Sequence, residues 1–352
     1  MINPIAHKLL NWYKKVKRPL PWRENPEPYK VWLSEIILQQ TRVNQGMDYY
    51  HAFLNQYPSI HDLAKAEEDA VLKLWQGLGY YSRARNLLKT AKRVSNEFQG
   101  HFPERAQDLK KLPGIGPYTA AAIASICFEE EVAVLDGNVY RFLSRLFDID
   151  LEIGSTKTRR VFEAYANQLI QSTPPGEFNQ AMMEFGSLQC IPQNPNCGSC
   201  VVQEHCLAFE RKTLSDRPVK AAKKPKRQRF FRFFLIGFED EILLDKRGEA
   251  GIWRNLYQFP LLELKEEKDF QSEIQVPSYI SSKSVSRMEI HKNTLNHLLS
   301  HQSLHAQLVS LDLNVKPDEI PATSFWVKRE SFATFAVPKL VENLWNELNP
   351  TD

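Results

Sequence analysis

The chain has 352 residues, of which 43% are hydrophobic and 25% are charged, as in an ordinary globular protein. This length favours two domains, each large enough to bury its own core. The net charge of +3 argues against a uniformly basic nucleic-acid coat, so a nucleic-acid partner must meet a local surface. The sequence contains no apolar run long enough to predict a membrane span and no secretory signal at its N-terminus.

Residues 1 to about 190 carry helical patterns, with apolar residues at helical spacing in VWLSEIILQQ and TAAAIASI. Short breaks rich in Gly and Pro, such as PLPWRENPEP and STPPGEF, separate the predicted helices. Glu35 lies between apolar residues of the first pattern, at the predicted start of a helix. Taken alone, it is typical of a surface glutamate.

The segment LPGIGPYTA, residues 112–120, predicts a tight turn that leads into a helix. Gly114 and Gly116 permit a turn that other residues resist, and Pro117 suits the first turn of a helix. Helix N-termini present backbone N–H groups to phosphates. We therefore predict a helix–hairpin–helix over residues 108–125 that suits a phosphate.

Asp136, in VAVLDGNVYRFLSR, follows an apolar run and precedes Gly137. Alone, this pattern indicates an ordinary helix N-cap. Glu35 and Asp136 together suggest a second reading, because cleavage at a sugar anomeric carbon uses two carboxyl groups. One group protonates the leaving group and the other stabilises the cationic sugar.

Four of the five cysteines, Cys190, Cys197, Cys200 and Cys206, follow the spacing C-x6-C-x2-C-x5-C. Such a set can close around one tetrahedral zinc ion or one iron–sulfur cluster. The crowding argues against disulfides distributed along the chain and favours a reducing, cytoplasmic location.

Residues 217–232 contain eight basic residues and no acidic one. We interpret residues 217–229 as a linker that is either a solvated tether or a phosphate contact. The segments RFFRFFLIGF, EILLDKR and SFWVKRE that follow are typical of strands, and the chain closes with a helical pattern. Residues 230–352 are therefore predicted to form an α+β domain.

The chain resembles the MutY-type adenine DNA glycosylases of the helix–hairpin–helix, or endonuclease III, superfamily. The segments that carry the resemblance are PLPWRENPEPYKVWLSEIILQQTRV, LWQGLGYYSRARNL, LPGIGPYTAAAIAS, VLDGNVYRFLSR, the cysteine loop and LYQFP. The resemblance implies a mainly α helix–hairpin–helix glycosylase domain over residues 1–216, with a [4Fe–4S] cluster in the loop of residues 190–206. It also implies that residues 230–352 form a Nudix-like domain that reads 8-oxoguanine.

By the same resemblance, Glu35 matches the general acid that protonates adenine at N7. Asp136 matches the carboxylate that stabilises the charged sugar, and Asn138 matches a side chain that positions this site. Tyr118 stands where superfamily members that also cut the strand carry a lysine, which forms a Schiff base. The resemblance thus implies a monofunctional enzyme that leaves an abasic site for downstream repair enzymes.

The remaining residues matched by resemblance are expected to contact DNA. The residues expected to line the pocket for the extruded adenine are Trp22, Arg23, Leu38 and Gln180, and those expected at the base stack are Gln40 and Tyr80. Ser300 and His301 are expected to contact 8-oxoguanine. Thr41 and the hairpin glycines Gly114 and Gly116 are expected to bind DNA. Tyr80 also fits an ordinary packing aromatic. Leu299 replaces the phenylalanine usual before Ser300, so this position has no aromatic ring to stack on a base.

The implied partner is double-stranded DNA with adenine opposite 8-oxoguanine or guanine, bound by a monomer. Two rival functions stay open: a glycosylase/lyase for oxidised pyrimidines, and a non-catalytic iron–sulfur protein that binds damaged DNA. A Nudix hydrolase needs an acidic REx2Ex2EE-type cluster, and the sequence after residue 230 has none. His297, His301 and His305 have the spacing of a metal site on a helix, but the alternation of Leu304, Ala306 and Leu308 predicts a strand.

Overall fold

The computed structural model describes residues 2–222, 225–291 and 294–349. The chain divides into two compact units. The helical unit comprises Met1–Lys65 and Asn86–Lys223, and the sheet unit comprises Ala66–Arg85 and Lys224–Asp352. Lys223 and Lys224, in the predicted linker, lie outside the described residues. The first strand begins at Arg227, so the last part of that predicted linker is strand instead.

The helical unit consists of helices joined by short loops. They are α1 (Pro4–Val16), α2 (Pro21–Glu24), α3 (Pro28–Ile37), α4 (Val43–Gln56), α5 (Ile60–Ala64), α8 (Ala106–Leu109), α9 (Pro117–Phe128), α10 (Gly137–Leu146), α11 (Thr156–Ile170), α12 (Pro175–Leu188) and α13 (Leu207–Glu210). Helix α6 (Glu68–Leu74) belongs to the sheet unit, and α7 (Ser82–Glu97) begins there and continues in the helical unit.

Helix α12 lies at the centre of the helical unit and contacts α1, α9 and α10. Phe178 and Phe185 of α12 pack with Phe142 of α10 and Phe162 of α11 in one buried apolar cluster. A Cβ at Gly186 would lie 2.6 Å from the backbone oxygen of Asn138. This glycine therefore allows the start of α10 to lie directly against α12.

The predicted hairpin runs from α8 through a turn into α9, which begins at Pro117 as expected. Gly114 has φ +73°, and a Cβ there would lie 2.7 Å from Cβ of Asn86. Gly116 is the N-cap of α9 with φ −80°, a conformation open to any residue. The prediction that the turn itself requires Gly116 was therefore wrong, whereas Gly114 is required.

The sheet unit is built on an eight-stranded sheet. Its strands are β1 (Arg227–Phe238), β2 (Glu241–Lys246), β3 (Tyr257–Gln258), β4 (Leu261–Leu264), β5 (Val285–Ile290), β6 (Leu295–Leu298), β7 (Gln302–Leu313) and β8 (Ser324–Lys328), followed by helix α14 (Lys339–Leu348). The order is β3-β2-β1-β7-β5, with β4 on β1, β6 on β7 and β8 on β2. Strands β1 and β7 are parallel, and the other pairs are antiparallel.

Both faces of this sheet are covered, which explains the long apolar run of β1. Phe231 and Phe233 face one cluster, which includes Leu340 and Leu344 of α14. Phe234 faces the other cluster. The strand prediction for Leu304–Leu308 is confirmed, because these residues lie in β7. Within the described ranges, no helix is long and apolar enough to cross a membrane.

Candidate active site and iron–sulfur loop

Glu35 lies in the last turn of α3, so its predicted place at the start of a helix was wrong. Its side chain is only 9% exposed, which also excludes the surface reading. The helical pattern missed this burial because α3 packs against α9, and residues on either side of the glutamate are buried too. A buried carboxyl group needs a functional or structural reason.

Glu35 interacts with two of the other predicted catalytic residues. Burial raises its pKa to about 7, with the nearby carboxylate of Asp136 adding to the rise. A hydrogen bond from Tyr118 and the positive charge of Arg23 act in the opposite direction. The Tyr118 hydroxyl also lies 3.6 Å from Sδ of Met183. The result is a carboxyl group that exchanges its proton near neutral pH.

Asp136 is the N-cap of α10, as its sequence pattern predicts. Its Oδ1 accepts a hydrogen bond from the backbone N–H of Val139 at 2.7 Å, and its Oδ2 accepts one from Nδ2 of Asn138 at 2.9 Å. Burial raises the pKa of Asp136, while these hydrogen bonds and the charge of Arg141 lower it. The N-cap and the candidate catalytic carboxylate are therefore the same group.

Arg141 connects this carboxylate to the cysteine loop, a role that the sequence analysis did not find. Its Nη2 donates to Oδ1 of Asn138 at 2.9 Å, and its Nε donates to the backbone oxygen of Cys190 at 2.8 Å. Arg141 also donates to the backbone oxygen of Gly186. The one available signal was its place three residues after Asn138, one helical turn along α10.

Glu184 is a second residue that the sequence analysis missed. It lies within the α12 stretch NQAMMEF, and its side chain is fully buried. Arg18 donates to both of its oxygens at 2.7 Å, and Nη2 of Arg23 donates to Oε2 at 2.9 Å. A charged residue among apolar neighbours on one helix was the signal that could have found it.

The expected adenine-contacting residues differ in their exposure. The Trp22 ring is buried edge-on against Tyr50, with centroids 5.0 Å apart. Gln180 is half-buried, and its Oε1 accepts a hydrogen bond from Tyr13 at 3.4 Å. Leu38 is half-buried at the C-cap of α3. The structure thus brings Arg23 close to Glu35, while Trp22 packs into the surrounding core.

Gln40 and Thr41 follow α3 in an irregular turn. Gln40 is exposed and has φ 58°, in the left-handed region that residues other than glycine seldom adopt. Thr41 is half-buried, and its hydroxyl donates to the backbone oxygen of Gln39 at 3.4 Å. The strained backbone holds the Gln40 side chain out toward solvent, which suits contact with another molecule.

Cys190, Cys197, Cys200 and Cys206 line one cavity. Among the described residues, no three His, Cys, Asp or Glu side chains converge closely enough to hold a single metal ion. Four thiolates around one cavity are the ligand set of a cluster in which each thiolate binds a different iron. Burial, with the neighbouring cysteines, raises the pKa of Cys200 to about 11.

The residues expected at the base opposite adenine lie in the sheet unit. Ser300 and His301 form the exposed turn between β6 and β7, closed by a hydrogen bond from Leu299 N–H to the Gln302 oxygen at 2.9 Å. Leu299 is partly buried against the core. Tyr80 is 46% exposed, and its hydroxyl contacts Oγ of Ser300.

Three family models match separate parts of the chain. Residues 33–168 match the HhH-GPD superfamily of base excision DNA repair proteins. Residues 190–206 match the iron–sulfur binding domain of endonuclease III, and residues 232–347 match the NUDIX domain. The order of these matches is the order of the helical unit, the cysteine loop and the sheet.

The adenine DNA glycosylase of Buchnera aphidicola subsp. Schizaphis graminum is 34% identical over 345 residues, covering 96% of this chain and 96% of that protein. The chain belongs to the adenine DNA glycosylase family. The family member of Mus musculus is 32% identical over 400 residues, covering 98% of this chain and 78% of that protein. Among solved structures, a thermostable thymine-DNA glycosylase matches with a TM-score of 0.53 and 25% identity, over 59% of this chain and 95% of that one.

Family membership confirms three predictions: the MutY-type resemblance, the DNA glycosylase enzyme class and the fold class with its Nudix-like C-terminal domain. The match to the iron–sulfur binding domain confirms the [4Fe–4S] cofactor. In an adenine DNA glycosylase with this fold, the four cysteines of residues 190–206 would hold that cluster.

Proposed function

We propose that the chain hydrolyses the N-glycosidic bond of adenine paired with 8-oxoguanine or, less readily, guanine, and that it leaves an abasic site. The observation that carries this proposal is the buried Glu35 carboxyl group. It has a pKa of about 7 and interacts with Tyr118 and with the carboxylate of Asp136. Extrusion of adenine from the duplex precedes the reaction. The [4Fe–4S] cluster serves as a structural group of the cysteine loop.

The first chemical step is proton transfer from Glu35 to N7 of adenine. The C1′–N9 bond then breaks, its electron pair moves to the protonated base, and a cationic sugar remains. A carboxyl group with a pKa of about 7 supports this step, because a large fraction of Glu35 is protonated at neutral pH. The carboxylate that remains is also basic enough to accept a proton later in the reaction.

Asp136 stabilises the cationic sugar. Its two hydrogen bonds from Val139 and Asn138 fix both oxygens and favour the ionised form. A water molecule then attacks C1′, and its proton passes to the carboxylate that Glu35 has become. This step regenerates the protonated acid and completes hydrolysis with atoms and charges balanced.

Tyr118 supports a monofunctional reaction. A phenol has no amine for a Schiff base with the sugar, so strand cleavage by that route has no nucleophile at this position. The hydroxyl interacts with Glu35, and this places it beside the carboxyl group that acts on the base. The abasic product then passes to downstream repair enzymes.

DNA binding is assigned to residues of both units. Helix α9 has no side-chain cap, so its first N–H groups are available to a phosphate of the backbone. In the helical unit, Gln40 would fill the stack that adenine leaves, and Thr41 would bind DNA. In the sheet unit, Tyr80 would enter the stack, and Ser300 with His301 would contact the opposite base. Trp22, Leu38 and Gln180, with Arg23, would bind the extruded adenine.

The test is base release from duplexes with adenine opposite 8-oxoguanine, guanine or thymine, with thymine glycol as a further substrate, each assayed with and without alkali. We expect strand breaks only after alkali and only for the mispaired adenines. Tyr118→Lys is expected to add cleavage without alkali, because the new amine can attack the sugar. Borohydride trapping of that variant on DNA would show the covalent step directly.

Other results would contradict the proposal. Cleavage of thymine glycol DNA by the wild-type protein without alkali would indicate a glycosylase/lyase for oxidised pyrimidines. Tight binding with no base release, by protein that contains its full iron complement, would indicate a non-catalytic DNA-binding protein.

A further inference from the structure

Residues 66–85 form a segment that packs within the sheet unit, although they lie inside the stretch matched by the HhH-GPD model. The segment contains α6 and the turn Gly77-Leu78-Gly79-Tyr80. Val71, Leu72 and Trp75 are fully buried. The segment is therefore anchored by apolar packing, and its polar contacts set the position of the turn that follows.

Asp69 anchors the first part of the segment. Its carboxylate lies 2.9 Å from Nζ of Lys246 and accepts a hydrogen bond from the Tyr257 hydroxyl at 2.6 Å. The neighbouring Glu68 accepts a hydrogen bond from Asn255 at 2.6 Å. Lys246 ends β2 and Tyr257 begins β3, so both partners of Asp69 belong to the sheet.

Gln76 anchors the second part, just before the turn. Its Oε1 accepts from the Val337 backbone N–H at 3.3 Å, and its Nε2 donates to Glu342 at 3.1 Å. On the other side of the turn, the Tyr81 hydroxyl donates to the Val337 oxygen at 3.3 Å. Both ends of the turn are thus fixed to the residues that precede and begin α14.

The turn presents Tyr80. Gly79 has φ +70° and Tyr80 has φ 48°, and the Gly79 oxygen accepts a hydrogen bond from Trp75 at 3.0 Å. The exposed Tyr80 hydroxyl contacts Ser300, at the turn between β6 and β7. Two side chains from distant parts of the sequence are therefore held on one sheet scaffold.

We propose that Asp69 and Gln76 are positioning residues that hold Tyr80 beside Ser300, so that the two side chains meet the mispair together. This inference rests on the proposed function, in which Tyr80 fills the base stack and Ser300 contacts the opposite base. Loss of the anchors leaves Tyr80 present but free to move relative to Ser300. The preference for binding 8-oxoguanine over guanine then falls, because Ser300 contacts the opposite base without Tyr80 held in place beside it.

The test is a double-mutant cycle between Tyr80→Ala and the combined variant Asp69→Ala/Gln76→Ala. Dissociation constants are measured with duplexes that carry a non-hydrolysable 2′-fluoro-adenosine opposite 8-oxoguanine or guanine. Glu289→Ala is the control, because it removes an exposed ion pair with Arg287 (2.8 Å) on β5 of the same unit. Thermal unfolding of every variant shows whether the sheet unit remains folded.

Loss of one stacked aromatic weakens binding by about 5- to 100-fold, which is the expected effect of Tyr80→Ala. The anchor variant is expected to weaken binding to the 8-oxoguanine duplex by at least about 3-fold, and to add less than about 2-fold when Tyr80 is already alanine. The charge exchange Asp69→Lys with Lys246→Asp, in the otherwise wild-type chain, is expected to bind more tightly than Asp69→Lys alone. The control is expected to bind like the wild type.

The outcomes separate the inference from the proposed function. If Tyr80→Ala binds both duplexes as tightly as the wild type, the proposed stacking role of Tyr80 is wrong. If Tyr80→Ala weakens binding but the anchor variant has no effect, or an effect that simply multiplies that of Tyr80→Ala, the positioning inference alone is wrong.

Discussion

Arg23 donates a hydrogen bond to the buried carboxylate of Glu184 at 2.9 Å, and its positive charge also lowers the pKa of Glu35. Arg18 donates hydrogen bonds to both oxygens of the same Glu184 carboxylate. Burial alone would raise the pKa of Glu184, but the hydrogen bonds and charges of the two arginines lower it to about 2. Glu184 therefore acts on the candidate acid indirectly, by holding Arg23 in place.

Glu184→Gln is expected to destabilise the fold by about 3 kcal/mol at neutral pH, because two arginines lose a buried carboxylate partner. The folded pKa of Glu184 is depressed, so its stabilising contribution is present above about pH 4.5 and is lost as the pH falls toward 2. Urea unfolding of wild type and variant over this range measures the difference.

Glu163→Gln is the matched control, because Glu163 forms a partly exposed pair with Arg159 at 2.7 Å on α11. Such pairs contribute about 0–1 kcal/mol. Equal destabilisation by the two substitutions would show that the buried arrangement of Glu184 has no special contribution.

The rate of base release is expected to fall as the pH rises through about 7, because ionised Glu35 has no proton to give. The rate also falls at low pH, because Asp136 becomes protonated. Burial raises the pKa of Asp136, so this low-pH limb lies at a higher pH than for an ordinary aspartate. Single-turnover rates over pH 5–9 test both limbs. Glu35→Gln is expected to lower the rate about 10²- to 10⁴-fold while DNA binding persists. A wild-type rate that stays constant from pH 6 to 9 would contradict the assignment.

The same pKa shift predicts that Glu35 destabilises the folded protein. Since its pKa is raised in the fold, the cost is absent below about pH 4.5, grows as the pH rises to about 7 and is then constant. A shift of this size corresponds to about 3 kcal/mol as an upper value. Glu35→Gln should therefore increase the free energy of unfolding at pH 8 and leave it unchanged at pH 4.

The sequence predicted the family, both secondary-structure classes and the cysteine loop, because these depend on local spacing. It did not predict the burial of Glu35, since a period of 3.6 residues says which side of a helix is polar and not which helix covers that side. Arg18 and Glu184 are separated by 166 residues, and a hydrogen bond over that distance leaves no local pattern.

The placement of residues 66–85 shows the same limit. The pattern of α6 is an ordinary amphipathic one, and nothing in it distinguishes packing on other helices from packing on a sheet. The partners that decide the matter, Lys246 and Val337, lie more than 150 residues further along the chain. Only the folded chain reveals this association.

The two hairpin glycines provide a matched pair of substitutions. Gly114→Ala places a Cβ at φ +73° and 2.7 Å from Asn86, so it is expected to lower stability by about 1–3 kcal/mol. Gly116→Ala adds a Cβ that meets no heavy atom within 4 Å among the described residues beyond its chain neighbours, and stability should change by less than about 1 kcal/mol. If the hairpin binds a phosphate, Gly116→Ala should still weaken DNA binding, because its Cβ stands at the open N-terminus of α9. Unchanged binding by a stable Gly116→Ala variant would contradict the phosphate contact.

Arg145, which is 3% exposed, is expected to hold the iron–sulfur loop in place. Its guanidinium donates to the backbone oxygens of Ile191 at 2.7 Å and Pro192 at 2.9 Å, and it lies 3.5 Å from Sγ of Cys190. Arg145→Met keeps most of the side-chain volume but removes the donor of these hydrogen bonds. The cluster should then be lost faster to a chelator, as followed by its visible absorbance relative to protein.

Arg211→Met is the control for Arg145→Met, because Arg211 is exposed and pairs with Asp148 at 3.2 Å near the same loop. Arg145→Lys should show an intermediate rate, since it keeps the charge but cannot reach several acceptors at once. If Arg145→Met loses its cluster no faster than Arg211→Met, the loop does not depend on these hydrogen bonds, and the four thiolates alone hold it in place.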